Sequence, residues 1–207
     1  ALREGKVCSG ERGAAIPDVM RRHFADLEGE IVGRGRFKVP RMDDAPLGYP
    51  ATFWENGLAA AEVEVDESTG AVRILNYVSL TDAGKMINPL HCRGQEEGSV
   101  LFGIGHALYE ELVYSDGQLI NPNLVDYRLP RFRDLPRSFH SIIVEEGGGT
   151  GPFGAKGIGE GGTLAAAAAI CNAVYDATGV RLYQVPLTGQ RIWRACSERS
   201  AATRKGA

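Results

Sequence analysis

Half of the stretch from Glu145 to Gly162, EEGGGTGPFGAKGIGEGG, is glycine: nine residues of eighteen. Glycine loses more backbone freedom on ordering than any other residue. A folded chain uses it this densely where the backbone must turn with positive φ or pass close to another group. One carboxylate, Glu160, ends the stretch, and an alanine-rich run follows it. Stiffer elements must hold such a loop. Phe139–Val144 reads as a strand leading into it, and Thr163–Ala177 as a helix leaving it. That helix is apolar nearly all round until Asp176 and is expected to be buried.

Two uses of the loop compete. Gly149-Thr-Gly151-Pro-Phe-Gly154 and Gly157-Ile-Gly159-Glu-Gly-Gly162 both satisfy the G-x-G-x-x-G pattern of a dinucleotide cradle. Chance matches are expected in so glycine-rich a segment, however, and Pro152 interrupts the first. The second sets an acid where a pyrophosphate would approach. No Walker pattern exists, since Met86 follows Gly84-Lys85. The other use is to present Glu160 at the approach to a helix N-terminus, where free N–H groups favour an anion. A simple cap or a solvated helix start fits the same residues.

The chain has 207 residues, 43% of them hydrophobic, enough for one or two domains with a real core. A net charge of −3 carries no basic signature of nucleic-acid or anionic-membrane binding. Cys8, Cys92, Cys171 and Cys196 form no C-x-x-C, which excludes a recognisable zinc or iron–sulfur motif and a disulfide framework. Ala1–Cys8 has no apolar core, and the longest apolar run, Leu164–Cys171, is too short to span a bilayer. These features point to a soluble cytoplasmic protein.

Along the chain, Pro17–Leu27 suits a short helix, Glu30–Lys38 a broken strand, and Pro40–Pro50 a loop. Val63 and Val65 alternate with Glu62, Glu64 and Asp66, and Val72, Ile74, Tyr77 and Val78 follow the turn at Asp66–Gly70. This predicts a β-hairpin of Leu58–Val65 with Ala71–Leu80. A helix follows from about Leu90 to Glu111. Its Gly94, Gly98, Gly103 and Gly105 would each weaken an isolated helix by roughly 1 kcal/mol, so they point to close approach by another backbone or a cofactor. Ser115–Gln118 suits a second hairpin turn, Val180–Gln184 a short strand, and Thr188 the N-cap of a helix over Gly189–Glu198. The fold class is α+β, with β-hairpins packed against long glycine- and alanine-rich helices. Three regions are expected: an N-terminal helix and linker over 1–34, a main domain over 35–198, and a polar tail over 199–207.

The phrase GPFGAKGIGEGG, an alanine-rich helix and then PLTGQRIW resemble the C-terminal part of the molybdenum-binding subunit of the xanthine oxidase/aldehyde oxidoreductase family. Asp82, Gly84, Asn88 and Pro89 match that family's D-x-G-x-x-x-N-P. Gly94-Gln95 with Gly98, Gly103 and Gly105 matches its G-Q-x-x-G-x-x-x-x-G-x-G helix. The resemblance covers roughly Gly35 to Cys196 and implies the fold of the second molybdenum-binding domain. It implies that Glu160 is the base beside the metal, in hydroxylation of an aldehyde or N-heteroaromatic ring with oxygen from water. A closed, dry setting would suit that base by raising its pKa. Gln95 is implied as a cofactor contact, with backbone approach by Gly157, Ile158 and Gly159. Lys156, in the same motif, is included among the implied cofactor contacts, though it could instead pair with Glu145 or Glu146, or bias the local field. No residue is assigned as a direct metal ligand. Asn88 suits an Asx turn before the helix. His106 reads as a core or surface histidine, and His91 with Cys92 lacks a third ligand.

The cofactor implied is molybdenum–pterin, as the cytosine dinucleotide in a bacterial protein. The implied partners are a second chain carrying the missing half of the molybdenum site, a 2Fe–2S subunit and an FAD subunit. Gly161-Gly162 after Glu160 looks like the bacterial members of the family. Substrate choice is not legible in this segment. Two rivals stay open: a catalytically silent scaffold subunit, and a nucleotide-binding oxidoreductase using the glycine loop.

Overall fold

The computed structural model describes residues 2–24, 32–38 and 52–205. The chain divides into two units, Ala1–Lys38 and Val39–Ala207. In the first, β1 (Leu2–Arg3), β2 (Lys6–Ser9) and β3 (Arg12–Ala15) form an antiparallel meander. Gly5 and Gly10 turn it at positive φ. This sheet was not foreseen, because strands of two to four residues carry too little alternation to read. α1 (Ile16–His23) follows with a proline in its first turn, shorter than the expected Pro17–Leu27. Residues 25–27 of that expectation lie outside the described residues, as do 30–31 and the loop expected over Pro40–Pro50. Residues 32–38 carry no regular structure.

The second unit is built on the expected hairpin. β4 (Gly57–Asp66) pairs antiparallel with β5 (Ala71–Asp82). Asp66 takes bonds from the Ser68 N–H at 2.9 Å, the Ser68 hydroxyl at 2.7 Å and the Thr69 hydroxyl at 2.8 Å. The pairing shifts between Glu62 and Val63. This bulge changes the parity of β5, so Val72 and Ile74 before it share the covered face with Tyr77, Ser79 and Thr81 after it. β8 (Ser138–Val144) then lies parallel to β5, giving the order β4-β5-β8.

The connection from β5 to β8 carries α2 (Pro89–Leu108) and the small hairpin of β6 (Tyr114–Ser115) and β7 (Gln118–Leu119). α3 (Gly161–Thr178) packs on α2 and the sheet, and α4 (Gly189–Lys205) closes the unit. The core joins Ile74 and Tyr77 of β5, Val100, Ile104, Ala107 and Leu108 of α2, and Ala166, Ile170 and Val174 of α3 to Leu187, Ile192 and Cys196. Helices laid on a short mixed sheet make this an α+β fold.

Three expectations change. α3 buries only the face of Gly162, Ala166, Ile170, Val174 and Thr178, and leaves Leu164 82% exposed. The helix packs on α2 and on the sheet with that face, and its remaining apolar side chains are left partly or fully open among the described residues. Val180–Gln184 forms no strand; Val180 and Leu182 pack against the core instead. The helix expected to stop at Glu198 continues to Lys205 through the region expected as a tail. It is held there by Arg199, which donates to the Thr178 carbonyl and to Glu67. Thr188 caps α4 as expected, accepting from Arg191 N–H at 3.3 Å. No helix among the described residues is long and apolar enough to cross a membrane.

Candidate functional site

The glycine loop leaves the end of β8 and returns to α3, passing the start of α2. Asn88 begins α2 by accepting the His91 N–H at 3.1 Å, the Asx geometry expected of it. Two turns of helix are then set by packing further along. A Cβ on Gly103 would sit 2.3 Å from the Ala166 Cβ, so α2 and α3 meet backbone to backbone there. The Thr163 hydroxyl adds a bond of 2.8 Å to the Ser99 carbonyl. This contact fixes the first turn of α3, and with it the loop's last residues, against the first half of α2.

Gln95 and Glu160 are thereby brought to one place. The Gln95 side-chain amide donates to the Gly159 carbonyl at 3.0 Å across 64 residues of chain. Glu160 occupies the N-cap position of α3, and the Thr163 N–H returns to its carbonyl at 3.0 Å. Its side chain makes no capping bond and is exposed. The side-chain cap suggested for Glu160 is not formed, and its carboxylate is exposed at a solvated helix start. The closed, dry setting expected for it is not formed by the described residues.

Lys156 pairs with neither glutamate suggested for it. Its ammonium meets Asp82 Oδ2 at 2.5 Å and the Trp54 carbonyl at 2.8 Å, with side chains only 9% and 5% exposed in the ion pair. Glu145 takes Lys85 at 2.8 Å and the Met86 N–H at 2.8 Å instead. Asp82 also accepts the Gly84 N–H at 2.8 Å. The lysine's bond holds its carboxyl below the usual range, against the opposing effect of burial. The Lys156 N–H bonds to the Ala83 carbonyl at 2.9 Å, and Gly84 turns at φ +64, with the Gly154 carbonyl 2.4 Å from where its Cβ would be. The D-x-G phrase is thus a clamp: it ties the loop to the end of β5. Lys156 braces the loop against Asp82 and the segment before β4.

The first G-x-G-x-x-G folds on itself. Gly151 N–H bonds to the Ala155 carbonyl at 3.0 Å, and a Cβ on Gly149 would lie 2.3 Å from two carbonyl oxygens of the same loop. Its glycines serve an internal turn and leave no cradle. Gly157 and Gly159 are exposed and Ile158 is half-buried. His106 and His91 are exposed and Cys92 is buried. No cluster of three or more His, Cys, Asp or Glu side chains suited to a metal occurs among the described residues.

Residues 1–136 match the model of the molybdopterin cofactor-binding domain. The chain belongs to that family, within the xanthine oxidase group. It is 39% identical over 171 residues to the 6-hydroxypseudooxynicotine dehydrogenase complex subunit gamma of Paenarthrobacter nicotinovorans, covering 78% of this chain and 22% of that one. It is 37% identical over 194 residues to the aldehyde oxidoreductase molybdenum-binding subunit of Escherichia coli K12, covering 91% and 25%. Among solved structures, quinoline 2-oxidoreductase from Pseudomonas putida 86 superposes with a TM-score of 0.70 at 33% identity, covering 96% of this chain and 26% of that one. The chain spans about a quarter or less of the length of the curated relatives it matches.

The surface of this molybdopterin-binding domain suits such a group. Gly94 and Gly98 flank Gln95 on one helical face, and neither has an atom within 4 Å of where a Cβ would be; Gly159 is equally open. Bare backbone and one amide side chain therefore face outward together. That combination fits a flat, hydrogen-bonding ligand that packs against bare backbone. The residues sequence reasoning missed lie below it: Asp82 as the partner of Lys156, and a buried group around Glu96. Asp82 carried a signal in its D-x-G phrase. Glu96 carried none.

Proposed function

We propose that this chain is the base-carrying C-terminal part of a molybdenum hydroxylase subunit that oxidises an N-heteroaromatic or aldehyde substrate. The observation carrying this reading is the Gln95–Gly159 hydrogen bond, which joins the two family-like motifs beside an uncapped, outward-facing Glu160. The molybdenum–pterin cofactor, when bound, supplies the two-electron oxidation and the place where water-derived oxygen is delivered. Gln95 keeps one amide hydrogen on Gly159 and has a second hydrogen and an oxygen to offer the cofactor. Gly157, Ile158 and Gly159 present backbone at close range. Glu160 takes up at its carboxylate the proton released as oxygen is transferred to the electron-poor carbon. The Lys156–Asp82 brace keeps the loop from recoiling.

Relatives about four or more times as long support a further polypeptide stretch that covers Glu160 and completes the pterin site. Iron–sulfur and FAD chains then carry the electrons away, with the cytosine dinucleotide form of the cofactor and a cytoplasmic location. The subunit naming of the Paenarthrobacter relative supports a multichain complex.

Glu160→Gln in the assembled, cofactor-loaded complex tests the assignment. Turnover should fall by a factor on the order of 10²–10⁴ with molybdenum content unchanged. Unchanged turnover would leave the chain as a silent scaffold.

A further inference from the structure

Glu96 follows Gln95 on α2 and points the opposite way. Gln95 and Arg93 are exposed, whereas Glu96 is 1% exposed. Both of its carboxyl oxygens are shut from solvent without a hydrogen bond of normal geometry, and the hydroxyls of Tyr77, Ser79 and Ser141 share that condition. Ser79 of β5 and Ser141 of β8 are register partners, and Tyr77 lies on the same face of the sheet as Ser79. These hydroxyls therefore belong to the layer on which α2 and α3 rest.

The groups facing Glu96 come from each neighbouring element. β5 supplies Tyr77 and Ser79, the segment before β4 supplies Glu55, and α3 supplies the Gly162 N–H. On α2 itself the Ser99 hydroxyl is turned back to the Glu96 carbonyl at 2.9 Å. A Cβ on Gly162 would lie 3.0 Å from Glu96 Oε1 and 2.5 Å from Ser99 Oγ, and one on Gly161 would lie 2.0 Å from Glu55 Oε1. The first turn of α3 sits directly on two carboxyl side chains. Glu55 is engaged by the Thr81 hydroxyl at 2.9 Å.

A carboxylate is a pure acceptor, and here it would face a second acid. A neutral carboxyl can give its one hydrogen to that acid or to a hydroxyl and still accept from the Gly162 N–H. Burial pushes the Glu96 carboxyl above its ordinary value of 4.5, opposed by the neighbouring Ser79 hydroxyl; Glu55 adds to the rise and the Gly162 N–H offsets it.

We propose that Glu96 is a positioning residue working as a neutral acid: its protonated carboxyl seats the first turn of α3 and so holds Gly159 and Glu160 in place against Gln95. Its importance for catalysis rests on the function proposed above; the seating itself does not. A raised folded-state pKa means the seat is complete at pH below the ordinary value and is lost as pH rises through the raised one.

The test is amide hydrogen exchange at Gly162 and Thr163 in the full chain, within the complex it purifies with, as a function of pH. With intrinsic exchange divided out, wild-type protection should fall by up to about tenfold per pH unit between the ordinary and raised pKa values. Glu96→Gln keeps the shape and stays neutral, and should hold protection flat. Glu55→Gln removes a charge that helps raise the Glu96 carboxyl, so the loss should end at lower pH and be smaller in extent. The same pH course in wild type and Glu96→Gln would overturn the proposal. In the loaded complex, the alkaline decline of turnover should be relieved in Glu96→Gln. If exchange behaves as stated while Glu160→Gln leaves turnover intact, the seat stands and the catalytic reading falls.

Discussion

Lys156 shows how little a residue's type says about its work. Its ammonium is buried against Asp82 and bonded to a carbonyl of the segment before β4. Removing one member of a buried ion pair leaves the other without compensation. Lys156→Met should therefore destabilise the chain by up to about 3 kcal/mol, read as a lower urea midpoint. The pH dependence follows from the depressed Asp82 carboxyl. Its stabilisation is present above the ordinary value of 3.8 and disappears as pH falls through the folded-state value. Wild type should lose its advantage over Lys156→Met in acid, and an advantage that persists there would contradict the pairing. At this scale Glu160 and Gln95 were singled out through the family resemblance of two short phrases, which the Gln95–Gly159 bond sets side by side. The Lys156 partner was not, because 74 residues separate the two groups. Glu96 was hidden for another reason: two adjacent glutamates on a helix read as solvated, and only the phase at which α2 meets β5 turns one of them inward.

At the scale of elements, α2 carries two kinds of glycine. Gly103 marks the closest approach to α3, so Gly103→Ala should cost stability. The clash with Ala166 outweighs a helix-propensity gain of about 1 kcal/mol, with overpacking typically costing about 1–3 kcal/mol. Gly98 faces open space, and Gly98→Ala should raise the stability of the cofactor-free chain by up to about 1 kcal/mol. The same change should lower cofactor retention, because its methyl group would stand beside Gln95, where the proposed function puts the cofactor. Stabilisation with cofactor content untouched would move the ligand off this face. The glycine spacing announced close approach; which glycine meets protein and which is left open became legible only with α3 in place. The hairpin was read correctly because its alternation and turn chemistry are local, while the bulge that keeps Tyr77 and Ser79 on the covered face left no mark in the pattern.

For the whole molecule, the uncovered apolar surface is the main feature. Leu164 of α3 and Leu58 of β4 are 82% and 69% exposed, and they line a cavity of about 460 Å³ together with Glu55, Leu80 and Gly161. Exposed apolar side chains here suit the further polypeptide stretch proposed above. Leu164→Glu should leave the thermal midpoint of the isolated chain unchanged while abolishing its recovery with the rest of the molybdenum subunit. A loss of stability in the isolated chain would instead show that Leu164 belongs to its own core.

The most direct measurement is molybdenum and pterin content in a complex captured natively through this chain, with its polypeptides identified by mass spectrometry. Molybdenum and pterin in stoichiometric amounts, accompanied by the remainder of a hydroxylase subunit, are the expected result. A metal-free, pterin-free chain, recovered from cells whose other molybdenum enzymes are loaded, would contradict the proposed function.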